Sequence, residues 1–193
     1  MRPALLLLAA APLFAQVAAR PTATAANMPP GSAAVTTSLP KTGSRIPLSA
    51  FVNIERTFDA KVSAMASDNL GPVDLLGATR GVYLDGFGVV FTTEMGLIQT
   101  PTINPFNTTI TQAQKDRVHA AKIKRLPALK NAIVETLRVI AANLTQVPED
   151  QQVVLAVRLD YSSWEKTAGL PGLITARADR RSAQTGNILV QEQ

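Results

Sequence analysis

Two hydrophobic periods follow one another within residues 126–161, and they constrain the fold more than any other feature of the chain. Leu126, Leu129, Ile133, Leu137, Ile140 and Leu144 recur at steps of three and four, the spacing of one helix face. After a break at Val147-Pro148-Glu149-Asp150, the residues Val153, Leu155, Val157, Leu159 and Tyr161 recur at steps of two, the spacing of one strand face. A helix stripe and a strand stripe are both buried when one is laid on the other, so this stretch asks for a helix packed on a sheet. Pro127 falls inside the helical pattern and is expected to kink it or split it in two, because proline lacks a backbone donor and crowds the preceding turn.

The same logic extends upstream. Phe51, Ile54, Phe58, Val62 and Met65 predict an amphipathic helix after Pro47, with Ser49 as its cap and Gly71-Pro72 beyond its end. Residues 73–98 read as a β region, in which Val82-Tyr83-Leu84 and Val89-Val90-Phe91 flank the loop Asp85-Gly86-Phe87-Gly88 as a hairpin. Thr109 and Gln112 have the spacing of a capping box ahead of the long helix. Beyond a loop carrying the single tryptophan, Trp164, residues 173–181 form a strand candidate with Ile174, Ala176 and Ala178 turned inward. Residues 182–193 give no clear pattern. The expected fold is α+β in the order α-β-β-α-β-β. It is a four-stranded, mainly antiparallel sheet with two helices on one face, forming a single domain over residues 47–193.

The N-terminal part reads differently. Met1-Arg2 is followed by an apolar run to Phe14 and by small residues, the pattern of a cleavable export signal over residues 1–19, cut after Ala15 or Ala19. Residues 20–46, rich in Ala, Thr, Ser and Pro, read as a disordered leader. The chain is therefore expected to be exported, to the periplasm or the medium, and the alanine-rich signal has a bacterial look. With no cysteine, disulfides, thiolate metal sites, thiol nucleophiles and lipid attachment at cysteine are all excluded. No segment after the signal is long and apolar enough to cross a bilayer as a helix.

Charge supplies the main functional lead. Lys115, Arg117, Lys122, Lys124, Arg125 and Lys130 lie together with one anion, Asp116, and this run alone matches the formal net charge of +5 of the whole chain. Focused positive charge favours an anionic partner, here an envelope component or a protein. Export argues against nucleic acid. Read as an exposed face, the run should tolerate charge reversal at Lys122, Lys124 and Arg125 without loss of fold.

Catalytic patterns are thin. His119 is the only histidine and sits among cations, which suits a bystander better than a base or a metal ligand. There is no G-x-S-x-G elbow. Lys41-Thr42-Gly43, Ser67-Asp68-Asn69 and Ser163-x-x-Lys166 match short motifs of serine β-lactamases, but in reversed order and in too short a chain. Gly86-Phe87-Gly88 leads into a strand, unlike a phosphate loop, which leads into a helix. Asp160 ends a strong strand with no second acid placed opposite it, as paired-carboxylate chemistry would need. The sequons at Asn107 and Asn143 are expected to stay unmodified. Enzyme activity is left open but not favoured, and no metal or cofactor is expected. The favoured reading is a non-catalytic binding or assembly module. The alternatives are a small exported hydrolase built from Asp, Ser and Lys groups, which a converging pocket of acids would support, and a carrier, which a hollow apolar pocket would support.

Overall fold

Each predicted apolar stripe becomes the buried side of an element. The computed structural model describes residues 46–103, 105 and 109–193, without the side chains of residues 67 and 68. The expected signal and leader, 1–19 and 20–46, lie outside these residues except for Ile46, which packs against the core. Helix α1 spans Leu48–Ala64 and buries Phe51, Ile54, Phe58 and Val62. Its cap is Pro47 rather than Ser49, which falls in the first turn. A short 3-10 turn, Met65–Asp68, closes it, with Asn69 in the left-handed conformation. Helix α2 spans Gln112–Asn143 without interruption. Its capping box is Thr111 with Gln114 rather than Thr109 with Gln112. Pro127 neither splits nor ends α2. It sits on the exposed side, where water can satisfy the carbonyl that loses its partner.

The four-stranded, mainly antiparallel sheet with two helices expected from the sequence is corrected on three points. Among the described residues the sheet has six strands, it is mixed, and there are three α-helices. The strands are β1 (Asp74–Leu75), β2 (Arg80–Leu84), β3 (Gly88–Gly96), β4 (Gln152–Leu159), β5 (Leu173–Asp179) and β6 (Leu189–Glu192). β1 and β2 both pair antiparallel with β3, and the path then runs β3-β4-β5-β6. β3 and β4 are parallel, in register from Gly88 opposite Gln152 to Met95 opposite Leu159. The reason is the length of α2. At about 1.5 Å per residue it returns the chain along the whole of β3, so β4 starts at the end where β3 started, as parallel pairing requires. Gly88, at φ +131°, lets the two backbones approach, since a Cβ there would lie 2.0 Å from the Gln152 carbonyl oxygen.

The third helix, α3 (Arg180–Thr185), replaces the last residues of the expected strand. Asp179 caps it by accepting a hydrogen bond from the Ser182 amide at 2.8 Å, and Gly186 at φ +87° ends it. The chain is thereby turned back along β5, and the tail pairs there as β6.

The core forms between α1, α2 and one face of the sheet. Val89, Phe91 and Met95 of β3, Val153, Leu155, Val157 and Leu159 of β4, and Ile174 and Ala176 of β5 meet Phe58, Leu129, Ile133, Leu137 and Ile140 of the helices. α3 packs against α2 and β5, with Gln184 donating to the Ala141 carbonyl near the end of α2. Among the described residues no helix lies on the other face of the sheet, and no helix is long and apolar enough to cross a membrane.

Candidate functional site

The basic run divides into an inside and an outside. Lys122 is 1% exposed and its ammonium pairs with the Glu165 carboxylate, itself 2% exposed, on the loop after β4. The same ammonium lies 4.7 Å from the centre of the Tyr161 ring. Burial, and then the Glu165 charge, push the Tyr161 phenol up to about 12. Arg125 is fully buried and donates to the carbonyls of Leu97 and Gly71, each at 2.8 Å, and to that of Met65 at 3.4 Å. It thus ties the end of β3 to the segment leaving α1. These two cations hold the structure together and cannot meet a partner. The expectation that charge reversal at Lys122 and Arg125 would spare the fold is corrected accordingly. Lys130 is half-buried and pairs with Glu192 of β6 at 2.6 Å. Arg117 and Lys124 are exposed and Lys115 partly so, leaving three cations of the original six on the outer side of α2.

Other candidates are also absorbed into the structure. His119 Nδ1 lies 3.0 Å from the Lys166 carbonyl oxygen, and the Lys166 ammonium pairs with Asp116. The hydrogen bond from Lys166 holds the Asp116 carboxyl below its usual range. Asp116, His119 and Lys122 therefore fasten one loop along α2. The fragment Ser163-x-x-Lys166 lies on that loop, and Lys41-Thr42-Gly43 falls outside the described residues. Asp160 is exposed at the end of β4, where its amide donates to the Met95 carbonyl. Among the described residues no three His, Asp or Glu side chains gather in a way that could hold a metal ion. Asn107 is outside the described residues, and Asn143 is the exposed last residue of α2.

The surface that stands out is the helix-free face of the sheet. Its side chains follow from the pairing registers. One row runs Val82, Val90, Val154, Arg177, Leu189 across five strands. Beside it runs Arg80, Thr92, Ala156, Thr175, Gln191, and beyond that Glu94, Arg158, Leu173. The first row is apolar apart from Arg177, and its exposure is graded: Val82 and Leu189 at the two ends are each 50% exposed, Val90 is half-buried and Val154 is buried. The arginines stand over and beside it. Arg158 Nε is 3.4 Å from Glu94 Oε1, Arg80 reaches Glu55 of α1 at 3.7 Å, and Arg177 has no carboxylate partner among the described residues. Between Arg80 and Arg158 the face dips into a depression of about 390 Å³, floored by Thr92 and Ala156 and rimmed by Gly77 and Ala78. Asp74 lies at the far end of β3, opposite Gly96, so the positive charge is concentrated mid-sheet.

Sequence reasoning missed this face although it carried a signal. Val89-Val90-Phe91 and Val153-Val154-Leu155 are apolar on both faces of their strands, which a strand with one solvated face does not need. Comparison of the chain with protein-family models, with curated proteins and with solved structures finds no match.

Proposed function

We propose that the domain is an exported binding or assembly module that docks an acidic polypeptide partner on its helix-free sheet face. The observation that carries this reading is the row Val82–Val90–Val154–Arg177–Leu189, free of helix cover among the described residues, with Val82 and Leu189 each half exposed and with Arg177 lacking a carboxylate partner among those residues, while Arg158 faces Glu94 and Arg80 faces Glu55. An exposed apolar patch with a charged surround is the usual anatomy of an interaction surface. The sign of the surround selects an acidic partner and repels a basic one. The depression between Arg80 and Arg158 is an open feature of the surface and not a hollow apolar pocket, which speaks against the carrier.

Two experiments test the proposal. A photo-cross-linking amino acid placed at position 82 or 189 of the full chain, expressed in its own host, should form an adduct with an acidic protein. The same residue at position 117 or 124 of α2 should not. Adducts confined to α2, or salt-sensitive binding to anionic vesicles that vanishes on charge reversal of Arg117 and Lys124, would move the function to the helix and overturn the sheet-face reading. Export is tested by the mass of the mature protein. A chain beginning at Gln16 or Arg20 is expected, and an intact Met1 on exported material would sink the cleaved signal.

A further inference from the structure

The two edges of the sheet are finished differently. On the β2 edge the first outward amide, that of Gly81, and the Thr79 amide just before the strand are already taken. Glu55 of α1 accepts from the Gly81 amide at 2.8 Å, and Asp59 accepts from the Thr79 amide at 3.1 Å. Helix carboxylates thus stand where the carbonyls of another strand would be, which blunts this edge at its start. Among the described residues the β6 edge has no such cover. Leu173 and Gln193 exchange two backbone bonds, at 3.1 and 3.0 Å. By the alternation of an antiparallel ladder, Leu189 and Gln191 therefore also turn their backbone groups to β5, while Val190 and Glu192 turn theirs outward. The strand Leu189-Val190-Gln191-Glu192 contains no proline, lysine or bulge to discourage pairing. Its one charged side chain, Glu192, is neutralised by Lys130.

We infer that the β6 edge takes a further strand from the same acidic partner, so that recognition begins by extending the sheet and continues over its open face. The inference rests on the docking reading above and adds the mode of entry. Outward amides and carbonyls at Val190 and Glu192 fit an extended backbone, and main-chain bonds of this kind give affinity that is largely independent of sequence. Four residues of edge are too few on their own, since a stable interface needs about 800 Å² from each side. The occupant must also cover the adjoining face, which the apolar row reaches at Leu189 on β6 itself. A second copy of this chain is a poor fit, because it brings the same arginine-rich face and offers no charge complement. An acidic chain with an apolar extended segment satisfies the edge, the stripe and the arginines together.

The test uses Val190→Pro in the full chain. The Val190 amide points away from β5, so proline removes an outward donor without breaking a β5–β6 bond. Glu192→Pro makes the same change at the next outward position and serves if Val190→Pro fails to fold. With the cross-linker at position 82, at the opposite end of the stripe, the adduct should fall at least about tenfold in the proline variant. The unfolding midpoint should stay within about 2 °C of the parent. An adduct at 82 that survives the proline would overturn entry by the edge and leave the face reading standing. No adduct at 82 in the parent, with a proline-sensitive adduct at position 191, would overturn the face reading and keep the edge. No adduct at either position would sink both, and an adduct with twice the chain's own mass would overturn the assignment to a different protein.

Discussion

The two faces of the sheet are made from the same strands yet differ in what covers them. On the inner face Val89, Phe91, Met95, Val153, Leu155, Val157, Ile174 and Ala176 are sealed beneath α1 and α2. On the outer face Val82, Val90, Val154 and Leu189 lie in one row with no helix over it among the described residues, and only its ends, Val82 and Leu189, are half exposed. Apolar character thus brings full burial on the first face and only graded burial on the second, from Val154 at its centre to Val82 and Leu189 at its ends. Inner positions were selected for packing, and a change there should be felt as stability. Outer positions contribute little to the fold, and a change there should be felt in binding. The same division runs through the cations of α2, where Lys122 and Arg125 belong to the inside and Arg117 and Lys124 to the outside.

The largest effects should follow from emptying the inner face. Phe91 is fully buried, and its ring lies 5.7 Å from that of Phe51, centre to centre. Phe91→Ala is expected to cost about 3–5 kcal/mol, and Leu137→Ala or Ile140→Ala about 2–5 kcal/mol, by lost transfer energy and the cavity left behind. Urea denaturation reads this directly. A midpoint unchanged in any of the three would mean that the helix stripe does not face the sheet.

Removing one partner of the buried ion pair comes next. Lys122→Ala leaves the Glu165 carboxylate buried without its counter-charge and is expected to cost about 3–5 kcal/mol, by the penalty of an uncompensated charge. The double variant Lys122→Met, Glu165→Gln removes both charges and keeps an acceptor for the Ser162 amide. It should regain at least about half of that loss. Equal losses in the single and double variants would show that packing, rather than charge, makes Lys122 important. Because Trp164 adjoins Glu165 in the same loop, its fluorescence reports whether the loop stays fastened. Tyr161 gives an independent readout in alkali. Its folded value is raised to about 12 from an ordinary 10.0, so the unfolded state releases the proton first as pH rises. Its contribution is complete below about pH 10 and is lost between about 10 and 12. Spectrophotometric titration should show a late tyrosine step that disappears in Tyr161→Phe.

How far the sequence exposed this division varies along the chain. The inner face was legible because burial imposes a period, and the stripes of α1, α2 and β4 all lie where three-, four- and two-residue spacing put them. The parallel pairing of β3 and β4 was not legible, because strand direction depends on where the intervening helix delivers the chain, and an expected break at Pro127 hid the length of α2. β6 was hidden because a short edge strand needs only one good neighbour and carries little period of its own. The basic run misled for a related reason. A lysine or arginine is assigned to the surface on composition, yet Lys122 and Arg125 sit at helix positions that turn inward, and carbonyls and a carboxylate from distant segments make their burial tolerable. Those partners are not visible in the local sequence. The outer face left its trace only in the doubled apolar positions Val90 and Val154, which make sense once both faces of the sheet are in view.

The smallest effect on stability is also the sharpest test of the comparison. Val82 and Leu189 are each half exposed and stand at opposite ends of the outer row. Threonine at either position keeps a branched, strand-compatible side chain and adds a hydroxyl that water can satisfy. Val82→Thr and Leu189→Thr should therefore each change unfolding free energy by no more than about 0.5 kcal/mol, the range of surface substitutions away from special features. If the row is a docking stripe, the same changes remove apolar area that a partner would bury, at about 25 cal/mol per Å². Cross-linking from position 90, in the middle of the row, should then weaken in both variants while thermal unfolding barely moves. A stability loss comparable to that of Ile140→Ala would mean that the outer row is covered by the chain itself, and the two faces would then be alike. Unchanged stability with unchanged cross-linking would leave the row as bare surface and return the search for a partner to Arg117 and Lys124.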